Sequence, residues 1–287
     1  MSYLQAIILG LLQGVSELFP ISSLGHSVIL PKLLGWDIDQ HDPFFLDFLV
    51  ATHLATALVL LGFFWRDWVR IVGGLVWSLR QREVRADDAD ARLGWLLVVG
   101  TIPAGLLGLL LEERVRALFA SPQIIAAVLA LNGVLLYGAE RLRRRARLSS
   151  ATEPDADRRI ATELSWGKSV AVGAMQALAL VPGFSRTGAT IGGGLLVGLS
   201  HEDAARFAFL LATPIIGAAA VLKLPELTSA GERGQLGQAA VGAICAAVTA
   251  YVTVRFLTRY FRTNTLTPFA VYCLAAGILS FVILLAR

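Results

Sequence analysis

Two polar interruptions inside apolar sequence limit what this chain can become. Residues 13–27, QGVSELFPISSLGHS, set a carboxylate, serines, a histidine and a proline into a run that otherwise reads as a hydrophobic helix. Residues 176–190, QALALVPGFSRTGAT, do so again. The two align at an offset of 163 through Gln13 with Gln176, Ser22 with Ser185 and Gly25 with Gly188; Pro20 and Pro182 miss that register by one. Further along, FLVAT at 48–52 resembles FLLAT at 209–213 at an offset of 161. Similarity at a near-constant spacing marks a repeated unit, and it takes precedence over local readings. The chain therefore reads as two copies of one unit, each opening with a broken, polar, glycine-bearing hairpin.

The rest of the sequence says what surrounds these hairpins. Hydrophobic residues make up 56% of the 287, charged residues only 16%, and the mean hydropathy is +0.67. Soluble domains average about 25% charged residues, so the composition points to an integral membrane protein. Cys245 and Cys273 stand singly in apolar runs and read as small core residues, with no disulfide or metal spacing. The N-terminus has no basic region followed by a cleavage site, so the spans are expected to direct insertion themselves.

Six stretches are long and apolar enough to cross a bilayer: 44–65, 93–111, 124–139, 204–222, 236–257 and 268–286. Residues 4–19 fall short of the roughly 20 a span needs. Pro20 stops them, and Ser22 or Ser23 can N-cap a second short helix to about residue 34. The pattern recurs around Pro182, and both pairs read as re-entrant hairpins, 3–34 and 168–199. Between residues 66 and 92 an amphipathic segment, 69–79, precedes a charged loop, and 141–165 is an arginine-rich linker. The expected fold is thus an all-α integral membrane protein, with six transmembrane helices plus two re-entrant helical hairpins. Its first repeat is 1–140 and its second 166–287. Helices are the element that satisfies its own backbone in hydrocarbon.

Orientation follows from lysine and arginine placement. The loops 66–93, 140–168 and 255–266 carry 17 of the 25 basic residues, and the opposite side six. That bias puts those loops in the cytoplasm and both termini outside. The first hairpin then enters from the outer face and the second from the inner face, so the repeat is inverted. Inverted repeats with discontinuous helices bind their ligand near the midplane, where the halves meet.

Ionisable groups at membrane depth are costly and mark function. Gln13 and Glu17, four apart, share a helical face. An amide oxygen and a carboxylate there suit a hard divalent ion; the structural alternative is a protonated Glu17 bonded for packing. Ser22, Ser23 and His26 follow the break, where a helix N-terminus offers N–H groups to an anion and an imidazole can move a proton or merely brace the turn. In the second hairpin Arg186 can clamp a phosphate bidentately. Ser185, Thr187 and Thr190 add hydroxyls, and Gly183 and Gly188 permit close backbone approach. The alternative is that Arg186 only neutralises Glu17. His53 reads as a packed or interhelical hydrogen-bonding residue, and His41 and His201 as solvated. Residues 192–194 (GGG) suit close helix packing. The arginines of 141–147 read as a topology signal and lipid contact, without the interleaved aromatics of a nucleic-acid surface.

Three of these elements carry a resemblance. QGVSE at 13–17, PISSLGH at 20–26 and PGFSRTGAT at 182–190, in that order, resemble the undecaprenyl-diphosphate phosphatase family of bacitracin-resistance type, over essentially the whole chain. The resemblance implies a C55 polyprenyl diphosphate substrate in the bacterial plasma membrane, cut to the monophosphate for cell-wall synthesis. It also implies a divalent cation, Mg²⁺ or Ca²⁺, facing Glu17 and Gln13. Ser185 and Arg186 would hold the diphosphate with Thr190, and Ser23 and His26 would lie at the reacting phosphorus. Gln13 stands where the family often has Glu, and Thr187 replaces a serine. The nucleophile stays open among Ser23, His26 and water. Expected partners are the lipid substrate and membrane lipids, with no nucleic acid, and a homodimer is left open. A flippase or anion transporter would use the same arginine and helix ends, but has no need of Ser23 with His26.

Overall fold

The computed structural model describes residues 1–40, 42–85, 87–118, 121–145, 155–229 and 236–287. Among them, twelve α-helices and no strands occur. α1 (Tyr3–Ser16) and α2 (Ser23–Leu33) form the first hairpin, followed by α3 (Pro43–Phe63), α4 (Trp65–Gln81), α5 (Ala89–Leu118) and α6 (Pro122–Arg145). After α7 (Ala156–Glu163), the second hairpin is α8 (Trp166–Gln176), a 3-10 turn Ala177–Leu180, and α9 (Arg186–Leu196). α10 (His201–Ser229), α11 (Leu236–Tyr260) and α12 (Thr267–Leu285) complete the chain.

Helix starts follow local chemistry. Ser2 and Gln5 close a capping box on α1. Asp42 caps α3, whose first residue is Pro43. Ser22 and Ser185, the pair aligned by the repeat, both act as N-caps: each hydroxyl accepts from the amide three residues on, Gly25 at 3.2 Å and Gly188 at 3.0 Å.

Five described helices have the length and apolarity to cross a membrane: Pro43–Phe63, Ala89–Leu111, Pro122–Arg143, Leu236–Tyr260 and Thr267–Leu285. They present large apolar residues outward, among them Leu58, Leu110, Ile244, Val252 and Ile278. The sixth expected span, 204–222, falls in α10 and is not among the five; the first two turns of α10 carry Glu202, Asp203 and Arg206. Its side chains beyond residue 219 lie outside those described.

The two halves are interlaced. α1 crosses α11 so closely that a Cβ on Gly10 would strike the backbone of Gly242. α8 crosses α5 in the same way, Gly173 against Gly100. Gly10 and Gly173 are again 163 apart. Small residues that let backbones meet are how helices pack when solvent offers no hydrophobic drive. α3 packs on α10, and there too the halves echo each other: Phe48 and Phe209 are buried, and Thr52 and Thr213 each bond back to the carbonyl four residues earlier.

The linker is more ordered than its composition implies. Residues 146–154 lie outside those described, but α7 is docked against α5 and α10, with Asp157, Ile160 and Ala161 buried. Arg206 and Arg70 both reach Asp157, and Arg159 forks onto Asp203. His201, expected to be solvated, is instead buried, with Nε2 2.7 Å from the Glu140 carboxylate. Glu140 also accepts from the Leu266 amide. Sequence neighbours gave no hint of this, since the partner is 61 residues away. His41 lies outside the described residues.

Candidate active site

Glu17 ends α1. Its amide closes the last turn on the Gln13 carbonyl at 2.9 Å, and Pro20, which has no N–H, lies just beyond. The side chain therefore stands at the break, only 5% exposed, and four groups converge on it. Arg186, the first residue of α9, forms an ion pair with it. The hydroxyl of Ser23, the first residue of α2, donates to it. Gln13 Nε2 donates at 3.1 Å, and His53 of α3 places Nε2 3.1 Å away. The two hairpins thus meet through an acid on one and a guanidinium on the other. A carboxylate held by an arginine and hydrogen-bond donors keeps its charge away from water at tolerable cost.

The backbone around this contact is tightly constrained. Ser22 has φ +71°, a left-handed conformation that is costly for a residue with a side chain. Gly183 has φ +106°, and a Cβ there would meet Val128 and the Ile125 carbonyl. Asn132, in the middle of α6 and fully buried, ties the two breaks together. Its Nδ2 donates to the Pro20 carbonyl at 3.0 Å, and its Oδ1 accepts from the Ser185 amide at 3.1 Å. Thr187 adds a second tie, its hydroxyl donating to the Glu17 carbonyl at 2.9 Å.

A cavity of about 410 Å³ opens over the pair. Its polar lining is Ser16, Glu17, Ser22, Ser23, Asp47, His53, Gln176, Ser185 and Arg186. The rest of the wall is apolar, including Leu24, Leu49, Val50, Leu180, Phe184, Ile215 and Ile216. A charged head with a hydrocarbon tail matches both parts. Both short helices α2 and α9 begin at this cavity, and helix N-termini favour anions.

Of the residues singled out in the sequence, Glu17, Ser22, Ser23, Ser185 and Arg186 line the cavity. Gln13 is buried behind Glu17, with its Oε1 unpartnered. Gly183 lies against Gly25, where the hairpins touch. Thr187 and Thr190 are not in the lining, and Thr190 bonds to the Arg186 carbonyl within α9. His26 is also away from it. Its Nδ1 lies 2.7 Å from the Ser22 carbonyl, and its Nε2 lies 2.8 Å from the hydroxyl of Tyr272, on which the ring stacks. A carbonyl only accepts, so Nδ1 carries the proton and Nε2 is free to accept from Tyr272.

Three cavity or bracket residues escaped the sequence reading. His53 reads in the sequence as a packed or interhelical hydrogen-bonding residue, and it does bond across helices, to the central carboxylate. Asn132 was visible as the only polar amide in its span. Gln176 reads in the sequence only as the repeat mate of Gln13; it is 2% exposed and neither polar atom of its amide has a partner.

Among the described residues no cluster of three or more His, Cys, Asp or Glu is arranged to hold a metal. The Glu17 carboxylate and the unpartnered Gln13 Oε1 are nevertheless hard oxygen donors on one helical face. They fit a cation that completes its shell with water and phosphate oxygens.

The profile of the bacitracin resistance protein BacA family matches residues 6–279. An undecaprenyl-diphosphatase of Mycolicibacterium paratuberculosis is 52% identical, over 100% of this chain and 99% of its own. An undecaprenyl-diphosphatase of Acidiphilium cryptum is 46% identical over 99% of both chains. Undecaprenyl-diphosphatase 2 of Chromobacterium violaceum is 46% identical over 97% of both.

Proposed function

The chain belongs to the bacitracin resistance protein BacA family, and from that membership and the chemistry of the cavity we propose that it is a multi-pass membrane phosphatase. It hydrolyses undecaprenyl diphosphate to undecaprenyl phosphate and inorganic phosphate, which recycles the lipid carrier for cell-wall synthesis and confers bacitracin resistance. The observation that carries this reading is the guanidinium–carboxylate contact of Arg186 and Glu17 at the floor of a cavity with apolar walls.

The diphosphate competes with Glu17 for Arg186. A guanidinium offers a phosphate two parallel N–H donors and stays charged. Ser22, Ser185 and the free N–H groups at the starts of α2 and α9 surround the same anion. As Arg186 turns to phosphate, Glu17 is released. Glu17 and Gln13 would hold the divalent cation, Mg²⁺ or Ca²⁺, which when bound supplies charge neutralisation at the phosphoryl oxygens. Ser23 Oγ attacks the terminal phosphorus, the bridging P–O bond breaks, and the prenyl monophosphate leaves. The serine proton passes to Glu17, which accepts from the Ser23 hydroxyl, and from Glu17 to the adjoining His53 Nε2. Water then hydrolyses the phosphoserine. His26 contributes by holding the Ser22 carbonyl and with it the turn that presents Ser23.

The finer topology belongs to the same proposal. Six spans and two re-entrant hairpins form an inverted repeat, 1–140 and 166–287 about the 141–165 linker, in the bacterial plasma membrane. The termini and the mouth of the site face outward. The paired glycine crossings and the distribution of basic residues support it.

The test is phosphate release from polyprenyl diphosphate by the purified chain in detergent, with metal added or chelated, beside Arg186→Ala. Metal-dependent release by the wild type and none by the variant is expected. Without a gradient a transporter releases nothing, so an inert wild type would overturn the phosphatase reading.

A further inference from the structure

Among the described residues with an unpartnered buried polar atom, Gln176 is the one that leaves two bare. Most buried amides find partners, and each polar group left bare destabilises the fold. Gln176 is 2% exposed, lines the cavity, and leaves both Nε2 and Oε1 without a hydrogen bond. The repeat explains how it came to stand alone. Its mate Gln13, at the same place in the first hairpin, gives Nε2 to Glu17 four residues on. Four residues beyond Gln176 is Leu180, which also lines the cavity and offers nothing to bond. The second hairpin kept the amide and lacks the acid.

A leucine in place of Gln176 would fill similar space without the penalty. An unpartnered amide in the lining that Arg186 and Ser185 share has a use only when something polar arrives. We propose that Gln176 is a substrate-contacting residue of the diphosphate site: its Nε2 donates to an oxygen of the terminal phosphate, and its Oε1 accepts from a water ordered against that phosphate. The inference rests on the phosphatase reading and assigns the second hairpin a contact besides its arginine. It also makes the two glutamines unequal. Gln13 serves the carboxylate, and Gln176 serves the substrate.

The test compares full-length wild type, Gln176→Leu and Gln176→Glu in detergent. The first readout is thermal stability, alone and with methylenediphosphonate plus Mg²⁺, a diphosphate head that does not hydrolyse. The second is phosphate release from polyprenyl diphosphate. Gln176→Leu is expected to melt at or above the wild-type temperature, to lose most of the stabilisation given by the diphosphonate, and to show kcat/KM reduced about tenfold or more, equivalent to about 1.4 kcal/mol. Gln176→Glu, which places an acceptor where the donor was, is expected to lose more. Wild-type turnover and full diphosphonate response in Gln176→Leu would overturn the proposal. A large drop in its melting temperature would also overturn it, since the residue would then be structural. A wild type that releases no phosphate would remove the phosphatase reading itself and this inference with it, a result distinct from an active wild type with an equally active variant.

Discussion

The guanidinium of Arg186 is already engaged by Glu17, so a phosphate has to compete with a carboxylate for it. That competition sets the residue-level expectations. Arg186→Lys keeps the charge and loses the planar fork. Turnover should fall at least about tenfold, near 1.4 kcal/mol of transition-state stabilisation, and near-normal phosphate release would refute the clamp. Glu17→Gln removes the carboxylate that Arg186 meets, so the Mg²⁺ titration of activity should shift to higher concentration; an unchanged titration would count against Glu17 as a ligand. Asn132 carries a different kind of prediction, because it touches backbone rather than substrate. Asn132→Leu leaves the Ser185 amide unpaired in the interior and the Pro20 carbonyl with only the weak Cys273 thiol at 3.7 Å. At about 1–3 kcal/mol for each bare group, the melting temperature should fall along with activity. A variant of wild-type stability would mean the bracket is dispensable.

At the scale of elements, the hairpins depend on where long helices let them in. α1 and α8 reach α11 and α5 through glycine pairs with no space between backbones. Gly173→Val should push α8 off α5 and carry Gln176 and the start of α9 with it. Phosphate release should be lost although every cavity residue is still present; retained activity would show that the crossing tolerates a side chain. These same elements show what a sequence can and cannot disclose. The hairpins were readable because proline, glycine and polar residues inside apolar runs are local signals, and the repeat doubled them. A serine cap on α2, at Ser22 or Ser23, followed from that, as did the possibility that Arg186 meets Glu17. His53 and α7 were not readable, because their meaning lies in partners far along the chain. His53 meets Glu17 36 residues away, and the charges of α7 are satisfied by Arg206 and Asp203 from α10 and by Arg70 from α4. A solvated arginine-rich loop and a helix fixed by buried ion pairs have the same composition. His26 shows the converse: its motif placed it beside the serines, but the turn of α2 aims it at Tyr272.

The molecule as a whole is a multi-pass, all-helical membrane protein whose orientation rests on the uneven distribution of lysine and arginine. A cysteine placed at Asp37 should react from outside intact cells with a membrane-impermeant maleimide, and one at Glu83 only after permeabilisation. The reverse pattern would invert the topology. The crossed seating of the two hairpins bears on how such a molecule is made. Gly10 is synthesised over two hundred residues before Gly242, the backbone it must lie against. The first hairpin is therefore made before its seat, and the acid at its tip has no arginine to neutralise it until the second half has been translated. Catalytic competence is thus among the last properties the nascent chain acquires, and a chain truncated before its eleventh helix carries every polar group of the cavity but lacks the helix that seats α1.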